Sequence, residues 1–242
     1  MRWIYISPHL DDAILSCGGL IHKQVDSGTV VDIWTICAGN PPDGALSPFA
    51  TNQHNSFSNA NHYYRTRRNE DMAACQRIGA RHRHLPFKDC IYRKSVDGKW
   101  LYETEETIFG DLLIEDGILV QDIKNFLKLI IRPTDQLVSP LAIGNHVDHQ
   151  LVRTALEEMD RPIKYYADVP YTMRANEELL ELSNELKVET HDLSRNNISA
   201  WKESICAYTS QVNTLFGNIE KMNRFIDEFS ISHSGIPLLN QI

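Results

Sequence analysis

The first 37 residues alternate between two kinds of apolar pattern, and this alternation restricts the architecture more than any other feature. Arg2–Ser7 is an apolar, β-prone run that breaks at Pro8. Residues 30–37 form a second run, rich in β-branched residues, that breaks at Gly39-Asn40-Pro41-Pro42. Between them, residues 12–27 place Ile14, Leu15, Leu20, Ile21 and Val25 at helical spacing and stop at Gly28, a C-cap. Strand, helix and strand in that order make a β-α-β unit, and its buried strands read as parallel.

The pattern continues downstream. Residues 63–78 read as a helix ending at Gly79, 84–87 as a short strand, and 103–131 as one or two helices broken around Asp116-Gly117. Residues 136–139 read as a strand ended by Pro140, 147–159 as a helix, and 163–169 and 188–191 as further strands. Residues 195–229 read as C-terminal helices with Trp201, Ile205, Tyr208 and Val212 on one core-facing stripe. The expected fold class is α/β, a mainly parallel β-sheet with helices on both faces, in one domain over residues 1–242. Sheets of this kind bind ligands beyond the carboxyl ends of their strands. The segment 39–61 holds Pro, Gly, Ser, Asn and Asp with little periodicity and is expected to be a functional loop on the rim of the site.

Hydrophobic residues at 42% and charged residues at 23% fit an ordinary globular chain. The formal net charge is −8, and the longest basic cluster is Arg65, Arg67 and Arg68, so nucleic acid is excluded as an expected partner. No apolar stretch approaches the ~20 residues that span a bilayer, and the N-terminus runs straight into a strand rather than a signal peptide. The five cysteines (Cys17, Cys37, Cys75, Cys90, Cys206) are odd in number and include no C-x-x-C pair. That argues against a disulfide framework or a structural zinc knuckle and for a cytoplasmic location. A homo-oligomer is compatible with all of this.

Two short blocks carry the chemistry: Ser7-Pro8-His9-Leu10-Asp11-Asp12 and His146-Val147-Asp148-His149, each after a strand-like run and each opening a helix. Imidazole and carboxylate groups at two strand ends are what a divalent metal with an open position requires. Neighbouring side chains diverge, so one of Asp11 and Asp12 can bind metal while the other faces substrate. Zinc held by two His and one carboxylate lowers the pKa of its water to about 7, and the unbound carboxylate can accept the water's proton. His146 is placed to stabilise the resulting oxyanion, with Asp148 holding it in the protonated form that also suits a general acid. The plainer reading makes Asp11 and Asp12 helix caps. Two such blocks in matching positions favour the metal site, which Fe²⁺ could also occupy.

Arg67 and Arg68 are candidates for a sugar hydroxyl, phosphate or carboxylate, against a structural ion pair with Glu70 or Asp71. Gly18-Gly19 lacks a G-x-G-x-x-G context and reads as close helix packing. His54, His62, His82, His84, His191 and His233 have no partner at ligand-like spacing and read as surface or packing residues.

Pro8-His9-Leu10-Asp11-Asp12 with Gly18-Gly19, the Arg67-Arg68-x-Glu70-Asp71 helix and His146-x-Asp148-His149 resemble the PIG-L/LmbE-like deacetylase family over most of the chain. Asp168-Val169-Pro170-Tyr171 and Tyr208-x-Ser210-Gln211 add weaker support. The resemblance implies a Rossmann-like fold and a zinc-dependent (Zn²⁺) N-deacetylase whose partner is a small N-acetylated sugar or glycoconjugate. It implies His9, Asp12 and His149 as metal ligands and Asp11 as general base. His146 then matches the oxyanion-stabilising acid and Asp148 its orienting partner, with Arg67 and Arg68 toward substrate. Leu10 stands where the family often has Pro, and Ala13 where it often has Glu, which marks a divergent branch. Two other functions fit the same residues: a phosphoesterase with two metals, and a non-catalytic sugar- or nucleotide-binding module.

Overall fold

Nothing polar interrupts residues 3–6, and this run becomes an interior strand of the sheet: Ile4, Tyr5 and Ile6 are fully buried. A computed structural model describes residues 1–54, 60–173 and 186–240. Its strands are β1 (Arg2–Ser7), β2 (Val30–Thr35), β3 (Arg81–His84), β4 (Gln136–Pro140), β5 (Ile163–Tyr166), β6 (Lys187–His191) and β7 (Ile236–Asn240). Its helices are α1 (Asp12–Asp26), α2 (Pro48–Gln53), α3 (Ala60–Arg77), α4 (Glu105–Ile108), α5 (Gly117–Ile130), α6 (Val147–Glu157), α7 (Arg195–Ile205), α8 (Val212–Phe216) and α9 (Ile219–Ser232).

The seven strands lie in the order β3-β2-β1-β4-β5-β7-β6. All neighbours are parallel except β7, which runs antiparallel to both β5 and β6. From β1 the chain winds outward to β2 and β3, then returns to the other side of β1 with β4 and β5. Right-handed crossovers therefore put α1 and α3 on one face and α5 and α6 on the other. The packing agrees, since α1 and α3 share α7 as a neighbour while α5 lies on α6. The reversal of winding creates a switch point between the carboxyl ends of β1 and β4, where an open α/β sheet leaves a crevice.

The mainly parallel sheet with helices on both faces is as expected, with three local departures. The short strand expected at 84–87 is found at Arg81–His84, because it is a sheet edge whose largely exposed residues carry no apolar signature. The strand β7, with the sequence Ile-Pro-Leu-Leu-Asn, was not anticipated; its pairing with β5 and β6 is long-range, and Pro237 disguises it. The loop expected over 39–61 contains α2 and the start of α3, while 55–59 lie outside the described residues. No helix among the described residues is long and apolar enough to cross a membrane.

Gly18-Gly19 does serve close packing. A Cβ on Gly18 would sit 2.4 Å from Trp201 Cδ1, and one on Gly19 would sit 2.6 Å from Leu193 Cδ1. Trp201 is fully buried and donates from Nε1 to the Ile14 carbonyl at 2.7 Å, locking α7 onto α1. Its ring cannot retreat without breaking that bond. Gly18→Ala is therefore expected to lower stability by about 1–3 kcal/mol, the usual range for overpacking, read as a lower midpoint in denaturant at unchanged slope.

Candidate active site

Both chemical blocks lie at the switch point. His9, Asp11 and Asp12 follow β1, and His146, Asp148 and His149 follow β4. A smaller apolar cluster that includes Leu10, Tyr64, Ile91, Tyr92, Tyr102 and Val147 packs the loops beneath them.

The first turn of α1 leaves its two carboxylates free of capping duty. Ser7 Oγ accepts the Ala13 amide at 3.0 Å, and Asp11 makes no side-chain capping bond. Asp12 Oδ2 instead turns back and accepts from the His9 backbone amide at 2.7 Å. The same oxygen lies 3.4 Å from His9 Nδ1 and 3.3 Å from His149 Nε2.

Each imidazole is held by its opposite nitrogen. His9 Nε2 meets Asp148 Oδ2 at 2.9 Å, and His149 Nδ1 meets Asp168 Oδ1 at 2.6 Å. A carboxylate at one ring nitrogen places the proton there and leaves a lone pair on the other, the usual arrangement behind a metal-ligating histidine. His149 is fully buried, yet its Nε2 has no hydrogen-bond partner. Tetrahedral coordination with ligand bonds of ~2.0–2.1 Å needs donors about 3.3–3.4 Å apart, which matches both distances to Asp12 Oδ2. The residues fit a small divalent cation. The His146 ring also brings a nitrogen within 4.8 Å of nitrogens on His9 and His149. Two further groupings each include Asp148, whose oxygens are already bonded to His9, Arg93 and the Cys90 amide.

The electrostatics are those of a site that calls for positive charge. Burial opposes ionisation of Asp12, but His149 and His9 outweigh it and hold the carboxyl well below the usual range. Burial disfavours charge on the His149 ring as well, yet Asp12 and Asp168 push it up to about 9. A metal cation there would replace that proton. Asp11 differs: burial pushes its carboxyl up to about 6 in spite of Arg67.

Sequence reading and structure part company over three side chains. Arg67 lines the cleft, but Nη2 donates to Asp11 Oδ2 at 2.9 Å and Nη1 to the Tyr63 hydroxyl at 3.1 Å, so its fork is already committed. Arg68 does not line the cleft. It donates to the Ala38 carbonyl and to Asn40 Oδ1, both at 2.8 Å, because adjacent helical residues diverge by about 100°. Neither arginine pairs with Glu70 or Asp71. Glu70 accepts from Thr209 and Ser210, and Asp71 bonds His84 and Tyr208, which tie α3 to β3 and to the chain after α7.

The third is the expectation that Asp148 holds His146 protonated. The Asp148 carboxylate faces His9, Arg93 and the Cys90 amide, while the Asp148 amide donates to His146 Nδ1 at 3.2 Å. Burial, reinforced by the neighbouring His9, keeps His146 well below its usual range. In the neutral ring, with Nδ1 accepting, the proton sits on Nε2.

The cleft is about 210 Å³ and is lined by His9, Asp11, Asp12, Asp89, His146 and Tyr171 together with Gln53, Gln211 and Thr214. That is smaller than the ~300 Å³ at which drug-sized pockets begin, so it suits one sugar-sized group. Tyr171 stands over His149 with ring centroids 5.4 Å apart, and the half-exposed Phe109 contacts both Tyr171 and His146 edge-on. Asp168, Asp89, Arg93 and Tyr171 carry no role in the sequence reading. Asp168 had a signal, since it lies just past β5, the next strand beyond the switch point. Arg93 had none.

Fold and cleft together define an α/β protein with an imidazole and carboxylate cluster at its switch point, arranged to fit a divalent cation. Residues 4–159 match the PIG-L family, described as GlcNAc-PI de-N-acetylase, and the chain belongs to that family. A 2'-N-acetylparomamine deacetylase from Niallia circulans is 28% identical over 234 residues, 89% of this chain and 82% of that protein. A deacetylase of the teicoplanin biosynthesis pathway, solved as a bog complex, superposes with a TM-score of 0.80 at 27% identity, covering 99% of this chain and 97% of that one. The zinc-inhibited form of the teicoplanin deacetylase Orf2 gives 0.79 at 25% identity with the same coverage. Enzymatic deacetylation is the activity class that these likenesses support.

Proposed function

We propose that the chain, acting as one domain over residues 1–242, is a zinc-dependent hydrolase that removes the N-acetyl group of an amino sugar or sugar conjugate. The observation that carries this reading is that Asp12 Oδ2 lies 3.4 Å from His9 Nδ1 and 3.3 Å from the unbonded His149 Nε2, in a cleft also lined by the Asp11 carboxylate. These three residues would hold the zinc. Bound there, zinc would supply Lewis acidity and lower the pKa of a water to about 7. Likeness to deacetylases acting on N-acetylparomamine and in teicoplanin biosynthesis supports an amino-sugar substrate.

The residues divide the rest of the work. Asp11 takes the proton of the attacking water; Arg67 engages its Oδ2 and sets its orientation without capturing both oxygens. His146, neutral with its proton on Nε2, donates a hydrogen bond to the amide oxygen as charge develops there, and Asp11 passes the proton it took from the water on to the departing amine. Asp168 and Asp148 keep the two ligand histidines in the tautomers that expose Nε2 and Nδ1, respectively. Gln53, Tyr171 and Gln211 face the sugar.

The test is acetate release from a panel of N-acetylated amino sugars and glycoconjugates. Release is expected from the untreated protein, is lost with a chelator, and returns when zinc is added back at one equivalent per chain. Two metals per chain with phosphate release from model esters would establish the phosphoesterase instead. Sugar binding without turnover on any substrate would establish the binding module.

A further inference from the structure

Arg93 is buried, does not line the cleft, and has no part in the steps above. Its Nη2 donates to Asp148 Oδ1 at 2.6 Å, its Nη1 lies 3.4 Å from Asp116 Oδ2, and its guanidinium lies over the Tyr102 ring at 5.0 Å. The other oxygen of Asp148 accepts from His9 Nε2 at 2.9 Å and from the Cys90 amide at 3.0 Å. Arg93 is 7% exposed and Asp148 0%, so water does not compete for either. The last torsion of an aspartate is broad and nearly two-fold, and nothing intrinsic to Asp148 keeps Oδ2 on His9. Opposed hydrogen bonds from Arg93 and the Cys90 amide do. Which nitrogen of His9 carries the proton is decided by what the ring meets, and Asp148 meets it at Nε2.

We propose that Arg93 is a positioning residue: by clamping Asp148 it holds His9 in the orientation and tautomer that present Nδ1 toward Asp12 and a metal ion. The final step rests on the zinc reading of the site. The first step, Arg93 acting on His9 through Asp148, is measurable without metal.

Arg93→Lys and Arg93→Met are compared with Tyr102→Phe. That control removes the hydroxyl that donates to Asp116 Oδ2 at 2.6 Å in the same buried network and leaves Asp148 untouched. In zinc-free protein, at a pH alkaline enough to neutralise the His9 ring that, despite burial, Asp12 and Asp148 hold charged above its usual range, ring ¹⁵N spectra are expected to show His9 protonated at Nε2 in the parent and in Tyr102→Phe, and a mixture of tautomers in the Arg93 variants. Zinc affinity by chelator competition should fall about 10–100-fold in the Arg93 variants and stay within twofold in Tyr102→Phe. If Arg93→Met does not fold, Arg93→Lys carries the test, because it keeps the charge and loses the planar fork. Loss of thermal stability in Arg93→Lys with the His9 tautomer and zinc affinity unchanged would overturn the proposal and leave Arg93 a structural ion pair. A parent protein that takes up no zinc would instead overturn the metal reading, and the tautomer spectra would still decide the role of Arg93.

Discussion

Asp11→Asn is expected to keep its zinc and lose turnover by about 10²–10⁴-fold, the range typical of removing a general base. The change conserves shape. The Asn oxygen can still accept from Arg67 Nη2, which reaches Asp11 Oδ2 at 2.9 Å, so the cleft keeps its outline. What is lost is the ability to take a proton, and the surviving charge on Arg67 stands without its counter-ion. The melting temperature, zinc content and kcat of purified variant and parent separate these effects. A variant with the parent's kcat and bound zinc would remove Asp11 from the base role, and a variant without zinc would show that Asp11 is needed for the metal instead.

His149→Ala is expected to lose zinc and activity together, and stability with them. Its Nε2 is a buried nitrogen without a hydrogen-bond partner, 3.3 Å from Asp12 Oδ2, and alanine leaves no donor at that point. On the other side of the ring, Asp168 is 1% exposed and loses the imidazole at 2.6 Å. Breaking a buried pair from one side costs about 3–5 kcal/mol, because the remaining carboxylate is stranded away from water. Metal analysis and denaturant unfolding measure the two losses independently. Retention of one zinc per chain in His149→Ala would exclude His149 as a ligand and shift attention to the His146 ring, which shares the same space.

The two changes probe different layers. Asp11 is tested by the split between zinc content and turnover, His149 by their joint loss. Gly18→Ala, which strains the α1–α7 contact against Trp201, supplies a folding control at a residue that does not itself line the cleft.

The chain's order of apolar runs was enough to predict the parallel core of the sheet, since strands buried on both faces must be continuously apolar and crossover helices must be amphipathic. Hence β1, β2, β4, α1 and α6 are legible from residues alone, as is the placing of both chemical blocks at strand ends. β3 and β7 were misplaced or missed because an exposed edge and a proline-containing antiparallel strand depend on neighbours far along the chain.

The kinds of group at the site were likewise written in the residues: two strand-end blocks of imidazole and carboxylate restrict what chemistry is feasible. Their partnerships were not. That Asp148 turns to His9 and Arg93 instead of the His146 ring, that Arg67 is tied to Asp11 while Arg68 leaves the cleft, and that Asp168 backs His149 all follow from side chains meeting across gaps of up to 139 residues. Local pattern reports burial and periodicity, whereas a buried hydrogen bond is awarded by distance and direction between elements that only the folded sheet brings face to face.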